Sequence, residues 1–395
     1  MDPRRNPYAP GAGAPPPELA GRDALIERAA IALDRIRSGR HDKSMILVGL
    51  RGVGKTVLLN RVQLDAEERG IHGMRLEAPE DRSLPGILAP AMRAALLRLD
   101  RTRAATAIVK KAMRALAGFV GSMKIKYGDV EVGLEVEPEK GLADSGDLDV
   151  DLTDLLVAVG EAAQERSTAF AVFVDELQYV EENQLASLIT ALHRCAQRQL
   201  PITLFGAGLP QIVGQTGRAK SYAERLFDFP EVGALEDAAA RLALTVPAEK
   251  EGVVFDSAAL DEILAQTQGY PYFLQEWGKN AWSVAPSSPI TADHVRDATV
   301  HALADLDASF FRVRFDRLTP AEKNYLRAMA TLGAGPHRSG DIAAELVRKV
   351  NSLGPTRSAL IAKGMVYSPD HGDTAFTVPL FDQFMKRMMP VGHRR

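Results

Sequence analysis

The chain has 395 residues, 46% of them hydrophobic and 25% charged, with a formal net charge of -3. That length holds two or three domains with a sizeable core, and the balanced charge excludes a chain-wide surface for polyanions, so any basic face is local. A single cysteine, Cys195, excludes a disulfide framework and points to a reduced, cytoplasmic setting, and no run approaches the ~18 apolar residues of a membrane span.

Residues 1–17 are rich in Pro, Gly and Ala and lack an apolar segment, which predicts a disordered tail and not a signal peptide. Leu19-Ala20-Gly21-Arg22-Asp23 then leads into an amphipathic helix to about Ser38. Met45-Ile46-Leu47-Val48 is a short apolar run ending in glycine, the pattern of a buried parallel strand.

Gly49-Leu50-Arg51-Gly52-Val53-Gly54-Lys55-Thr56 fits G-x-x-x-x-G-K-[ST]. Gly49, Gly52 and Gly54 let the backbone around Val53 wrap an anion with its amides turned inward. The helix expected from Lys55 to Arg69, with Thr56 and Val57 in its first turn, points its positive end at the same phosphates. Lys55 is then the ligand of the β- and γ-phosphates and Thr56 a ligand of Mg²⁺, so ATP and Mg²⁺ are the expected cofactors. The position between a strand and a helix separates this motif from an idle glycine turn.

A second strand follows at Gly73 to Leu76, then helices at about Pro85 to Leu99 and Ala104 to Phe119. From Met123 to Asp151 the rhythm breaks. Lys124 to Val132 alternates around Gly128-Asp129 like a hairpin. An acidic stretch follows, with Glu135, Glu137, Glu139, Asp144, Asp147, Asp149 and Asp151. The expectation is a surface insertion at about 121–151, ordered at its hairpin and loose after Pro138, either a partner-docking element or a solvated decoration. The basic residues Arg101, Arg103, Lys110, Lys111 and Arg114 form a solvated helix face or a surface for nucleic acid or for the acidic segment.

Ala171-Val172-Phe173-Val174-Asp175-Glu176 is an apolar strand ending in two carboxylates. An acid at the carboxyl end of such a strand lies on the ligand side of an open α/β sheet. Asp175 is thus the second Mg²⁺ anchor beside Thr56, and Glu176 orients or deprotonates an attacking water. A helix at Gln184 to Gln199 and a strand at Ile202 to Phe205 complete the alternation, which implies a parallel, doubly wound sheet. Phe227-Asp228-Phe229 reads as one further short strand. Glu236 to about Leu306 reads as helices only, with Trp277 and Trp282 as core. Thr319 and Pro320 then form a helix start. Helices at about Pro320 to Leu332, Ser339 to Arg348 and Ser352 to Lys363 follow, and a two-stranded ribbon flanks a turn at Pro369 to Asp373. The eight histidines show no zinc spacing, and no serine sits in a G-x-S-x-G elbow.

With the Gly21-Arg22 entry, the glycine loop, the Phe173-Val174-Asp175-Glu176 strand end and the helical stretch after it, the sequence resembles AAA+ ATPases, in the flavour of the initiator-like and STAND-like branches that end in a winged helix. The resemblance covers about Glu18 to Arg387. It implies an α/β, RecA-like P-loop core at 18–235, a helical lid at 236–308 and a winged helix at 309–390. It places Gly21 and Arg22 near the adenine, where the bland alternative is a plain turn, and Pro271 in a Gly-x-Pro of the lid. Arg225 falls where such ATPases carry an arginine finger for a neighbouring subunit, with Arg218 as the rival; both also read as surface arginines. Two departures stand out. Gly206-Ala207-Gly208 lacks the polar residue that senses the γ-phosphate, and Gly269-Tyr270-Pro271-Tyr272 stands where a sensor arginine is common. The resemblance therefore implies tight MgATP binding with slow hydrolysis, coupled to assembly as a homo-oligomer. It leaves two roles for the terminal module, double-stranded DNA through Arg348, Lys349, Arg357 and Lys363, or docking of a protein partner by a STAND-like switch. No membrane partner is expected.

Overall fold

The computed structural model describes residues 1–390 apart from 12, 79–81, 102–106, 131–132, 134–135 and 371. The chain divides into two compact units. One comprises Asp23–Val48 and Lys55–Glu231; the other comprises Met1–Arg22, Gly49–Gly54 and Val232–Arg395.

The first unit alternates helix and strand: α1 (Asp23–Arg37), β1 (Ser44–Val48), α2 (Lys55–Glu68), β2 (His72–Glu77), α3 (Leu84–Arg101), α4 (Ala107–Tyr127), α5 (Leu148–Glu165), β3 (Phe170–Asp175), α6 (Glu182–Gln197), β4 (Ile202–Gly208), α7 (Gln211–Ala219), α8 (Ala223–Leu226) and β5 (Phe227–Asp228). The strands form one parallel sheet in the order β2-β3-β4-β1-β5. Both faces of its central strands are covered, which is why β3 and β4 are buried along their whole length and read as continuous apolar runs. Phe173 and Phe205 stack at 5.6 Å between centroids in neighbouring strands. The apolar core continues from β2, β3 and β4 into α3, α4, α5 and α6. The doubly wound α/β architecture expected from the sequence is therefore present.

The first arm of the expected hairpin is helical instead. Lys124 to Tyr127 form the last turn of α4, and Val130 is fully buried. Glu131, Val132 and Glu135 lie outside the described residues. Asp129 is not a turn tip. Its carboxylate accepts from the Ser83 N–H (2.9 Å) and hydroxyl (2.7 Å) at the entry to α3. The loose acidic insertion is also corrected. Asp147 caps α5 by accepting from the amides of Asp149 (2.8 Å) and Val150 (3.3 Å). Asp151 is fully buried and accepts from Ser122, Ser145 and Gly146 at 2.7–2.9 Å. Counting charges cannot separate a solvated carboxylate from one that satisfies backbone donors at a helix start. Arg114 pairs with Glu139 at 3.4 Å, so this member of the basic group meets the acidic segment, while Arg103 lies outside the described residues.

The second unit holds α9 (Asp237–Lys250), α10 (Ser257–Thr267), α11 (Pro271–Val284) and α12 (Ala292–Asp305), a π-helical turn at Leu306–Phe311, and α13 (Arg312–Asp316). After these come α14 (Pro320–Leu332), β6 (His337–Arg338), α15 (Ser339–Glu345), α16 (Gly354–Ala362), β7 (Val366–Tyr367), β8 (Asp373–Phe376) and α17 (Phe381–Met388). Trp277 and Trp282 on α11 are core, as expected. The amino-terminal segment belongs to this unit and is packed, contrary to the expected disorder. The buried Tyr8 donates its hydroxyl to the Leu244 carbonyl, and the Met1 amino group donates to the Ala285 carbonyl at 2.7 Å. The Trp282 indole N–H reaches the Asp2 carbonyl at 3.0 Å. One aromatic anchor overrides a composition averaged over the whole segment.

Thr319 caps α14 and Pro320 lies in its first turn, as expected, and Glu322 completes a capping box. The expected two-stranded ribbon gains a third strand. β6 pairs with β8, giving an antiparallel sheet in the order β6-β8-β7, and α17 closes the module through Phe381 and Phe384. No helix among the described residues is long and apolar enough to cross a membrane.

Candidate functional site

The glycine loop and the strand-end acids belong to different units. Gly52 (φ 84°) and Gly54 (φ 94°) adopt left-handed backbone on either side of Val53. Only glycine takes this geometry without cost, and it bends successive amides into a concavity suited to an anion. The outer side of the loop is fastened within its own unit. The Tyr270 hydroxyl donates to the Arg51 carbonyl, and the Tyr272 N–H donates to the Gly52 carbonyl at 3.2 Å. The Arg51 N–H reaches the Thr377 carbonyl and its Nε the Gly364 carbonyl, both at 3.3 Å. Arg22 is buried and donates to the carbonyls of Val53 (3.3 Å) and Gly233. Burial pulls its guanidinium below the ordinary arginine range. Gly21 turns the chain with φ 68°, against Leu235 and Ala239. Pro271 opens α11, and the Leu235 N–H donates to the Gly269 carbonyl at 2.8 Å. Gly21, Arg22, Gly49, Gly52, Val53, Gly54 and Pro271 thus share one unit.

In the sheet unit, Lys55 is the first residue of α2 and is buried; Thr56 and Val57 follow it, half-buried. Asp175 is the last residue of β3, and Glu176 follows in left-handed backbone (φ 51°) that turns the chain out of the strand. Asp175 is buried, accepts from the Glu176 N–H at 2.9 Å, and pairs with the Arg75 guanidinium at 3.2 Å. The Nη1 of Arg75 is buried with no hydrogen-bond partner among the described residues. Gln178, also buried, donates its amide to the Glu176 carboxylate, while its oxygen accepts from the Leu209 N–H at 3.0 Å.

Arg75 and Gln178 are the residues that sequence reasoning missed. The signals were small, a lone arginine inside the short strand β2 and a glutamine two places after Glu176. β4 runs three residues further than expected, so Gly206, Ala207 and Gly208 are its buried end, with no polar side chain among them. Arg225 on α8 is exposed, as is Arg218, whose Nε pairs with Glu182 at 3.1 Å.

The donor set fits a magnesium nucleotide. Mg²⁺ keeps several waters and takes one or two carboxylates together with phosphate oxygens, and the buried Asp175 supplies one such carboxylate in a setting that already holds a cation, Arg75. No cluster of three His, Cys, Asp or Glu that could hold a metal unaided occurs among the described residues.

Known proteins share this fold. An AAA ATPase domain matches residues 18–205, and a domain of unknown function matches residues 308–385. No curated protein matches the sequence. Among solved structures, a Walker-type ATPase of Pyrococcus abyssi is similar over 91% of this chain and 95% of its own, at 17% identity and a TM-score of 0.56. The Aeropyrum pernix Orc1 protein in complex with DNA is more loosely similar, at 17% identity over 94% of this chain and 93% of that one, with a TM-score of 0.47. The Thermotoga maritima RuvB Holliday junction branch migration motor gives 14% identity over 90% and 92%, with a TM-score of 0.44.

Proposed function

We propose, from the premise that this chain is an AAA+ P-loop ATPase of the initiator-like kind, that it binds MgATP, hydrolyses it slowly, and uses the nucleotide state to control assembly and engagement of DNA or a DNA-bound partner. The observation that carries this reading is the arrangement at the end of β3, where Asp175 is paired with a cation and Glu176 is held by Gln178.

In this reading the amides of Gly52 to Val57 and the Lys55 ammonium hold the β- and γ-phosphates. Thr56 and Asp175 hold Mg²⁺, which when bound offsets charge developing on the transferred phosphoryl group. Glu176 takes the proton of the attacking water. Gly21, Arg22 and Pro271 flank the base, and Arg225 supplies a charge to a neighbouring copy. Slow turnover follows from two features. Gly206 to Gly208 offer no polar side chain, and Gln178 occupies a carboxylate oxygen of Glu176.

The module at 309–390 is assigned as a winged helix. Arg348 and Lys349, both exposed, are its phosphate-facing cations. Arg357 is committed to Thr374, Ser368 and the Asp373 carbonyl, and Lys363 to Glu322 at 2.8 Å. The test is ATP hydrolysis by wild type, Lys55→Ala and Glu176→Gln, with and without duplex DNA. Turnover that DNA accelerates and that both variants lose supports the reading; turnover unchanged in Lys55→Ala overturns it.

One observation favours the second reading, a STAND-like switch that acts on a protein partner. Tyr270 and Tyr272, at the start of α11, bond directly to loop carbonyls, so a change at the loop transmits to the lid. Under that reading wild type binds ATP through Lys55 and barely hydrolyses it whether DNA is present or absent.

A further inference from the structure

Within the second unit, Asp2–Tyr8 lie in a groove between α9 and α11. The Asn6 amide donates to the Lys279 carbonyl at 3.0 Å, and Arg5 donates to the Glu251 carbonyl and carboxylate, both at 2.9 Å. The Tyr8 ring meets Phe255 edge-on at 6.5 Å and lies against Gly278, where an added Cβ would come within 2.8 Å of it. Glycine inside a helix costs about 0.5–1 kcal/mol relative to alanine; at Gly278 that cost opens a seat for this ring. The segment also carries its own shape. Asp2 caps a 3-10 turn at Pro3–Arg5 by accepting from the Arg4 N–H at 2.9 Å, and the Asn6 side chain accepts from the Tyr8 N–H at 3.1 Å. Both bonds are internal and travel with the segment.

Residues 9–17 are Pro, Gly and Ala only, so no side chain there can donate or accept a hydrogen bond. Tyr8 bonds to Leu244, and Glu18 pairs with Lys250 at 3.6 Å, further along the same helix α9. Leu244 and Lys250 are about 9 Å apart along the helix axis, whereas the link of residues 9–17 extends to ~30 Å. We propose that this groove is an interaction surface between copies of the chain and takes Asp2–Tyr8 of a neighbouring copy. The exchanged segment reproduces each of these contacts, since the two copies are identical, and the slack link supplies the reach. A tethered segment has an effective concentration on the order of millimolar. A copy therefore fills its own groove in dilute solution and exchanges where assembly brings a neighbour within reach. The exchange supplies a contact for the assembly proposed above, but it needs no nucleotide.

The test mixes two full-length variants without nucleotide. Tyr8→Ala keeps the groove and loses the ring that fills it; Gly278→Leu keeps the segment and blocks its seat. Sedimentation velocity should show each variant alone as a monomer and the mixture as a pair of twice the mass, because a displaced segment then meets an empty groove. Adding Asn6→Ala to the Gly278→Leu copy should weaken the pair about fivefold, the loss of one hydrogen bond. Thermal unfolding shows whether each variant is folded, and Gly278→Ala, a milder change at the same seat, takes the place of Gly278→Leu if that chain is not. A mixture of folded variants that stays monomeric overturns the proposal, as does pairing of either variant alone to the same extent as the mixture. Lys55, Asp175 and Glu176 are untouched in every variant, so failure here is distinct from failure of nucleotide binding.

Discussion

The two halves of the nucleotide motif are held by different kinds of structure. Lys55 opens α2 and is buried, and Asp175 and Glu176 stand at the end of β3, a strand buried along its whole length in the parallel sheet. Gly49 to Gly54 instead hang from hydrogen bonds donated by Tyr270, Tyr272 and Arg22 and from an Arg51 amide bonded to Thr377. A packed strand end changes only with loss of the core. A loop suspended by a few hydrogen bonds, each contributing about 1 kcal/mol net, changes whenever its partners move. The first half is therefore fixed by the core and the second by a few hydrogen bonds.

The largest expected effect tests the fixed half. On the proposed reading Lys55→Ala would remove charge-assisted bonds to two phosphates and should weaken ATP binding by about 10²–10³-fold, roughly 3–4 kcal/mol. Titration with a fluorescent ATP analogue measures it, and an unchanged affinity would remove the lysine from the site.

Arg75→Met comes next. It leaves the buried Asp175 carboxylate without its cation, and about 1–3 kcal/mol of stability should be lost without nucleotide. Mg²⁺ should replace that cation, so MgADP should stabilise the variant more than wild type. Urea melts with and without MgADP read both quantities. Equal melts would mean that the pair does not hold the strand end.

Tyr270→Phe probes the suspended half. Removing one hydroxyl donor should cost about 1 kcal/mol and change nucleotide dissociation, while hydrogen exchange in β3 and β4 stays as in wild type. Protection lost across those strands would show that the loop's fastening and the sheet are not independent.

The smallest effect concerns Cys195 on α6. Burial pushes its thiol up to about 12, so the thiolate at pH 8 is only about one part in 10⁴. A thiol reagent at pH 8 should react only as the chain unfolds, and at the same rate in wild type and Tyr270→Phe. Faster labelling in Tyr270→Phe would show that the loop's fastening also supports the sheet unit.

Much of this molecule was legible in the sequence. The glycine loop, the apolar strands and the Asp175-Glu176 end are local signals, because a parallel strand must be apolar throughout and a phosphate loop must have glycine where φ is positive. The Thr319 to Glu322 capping box is equally local. Such features are set by residues within a turn or two of one another, and the sequence by itself determined them. It did not reveal that Asp151 is a buried acceptor, that Tyr8 anchors the amino terminus, that Arg75 meets Asp175 or that Gln178 braces Glu176. Those contacts span from two to more than two hundred positions, and each depends on which donor folding brings beside which acceptor. A carboxylate, a tyrosine or an arginine looks the same in the sequence whether water or a buried partner satisfies it, and only the tertiary structure decides which.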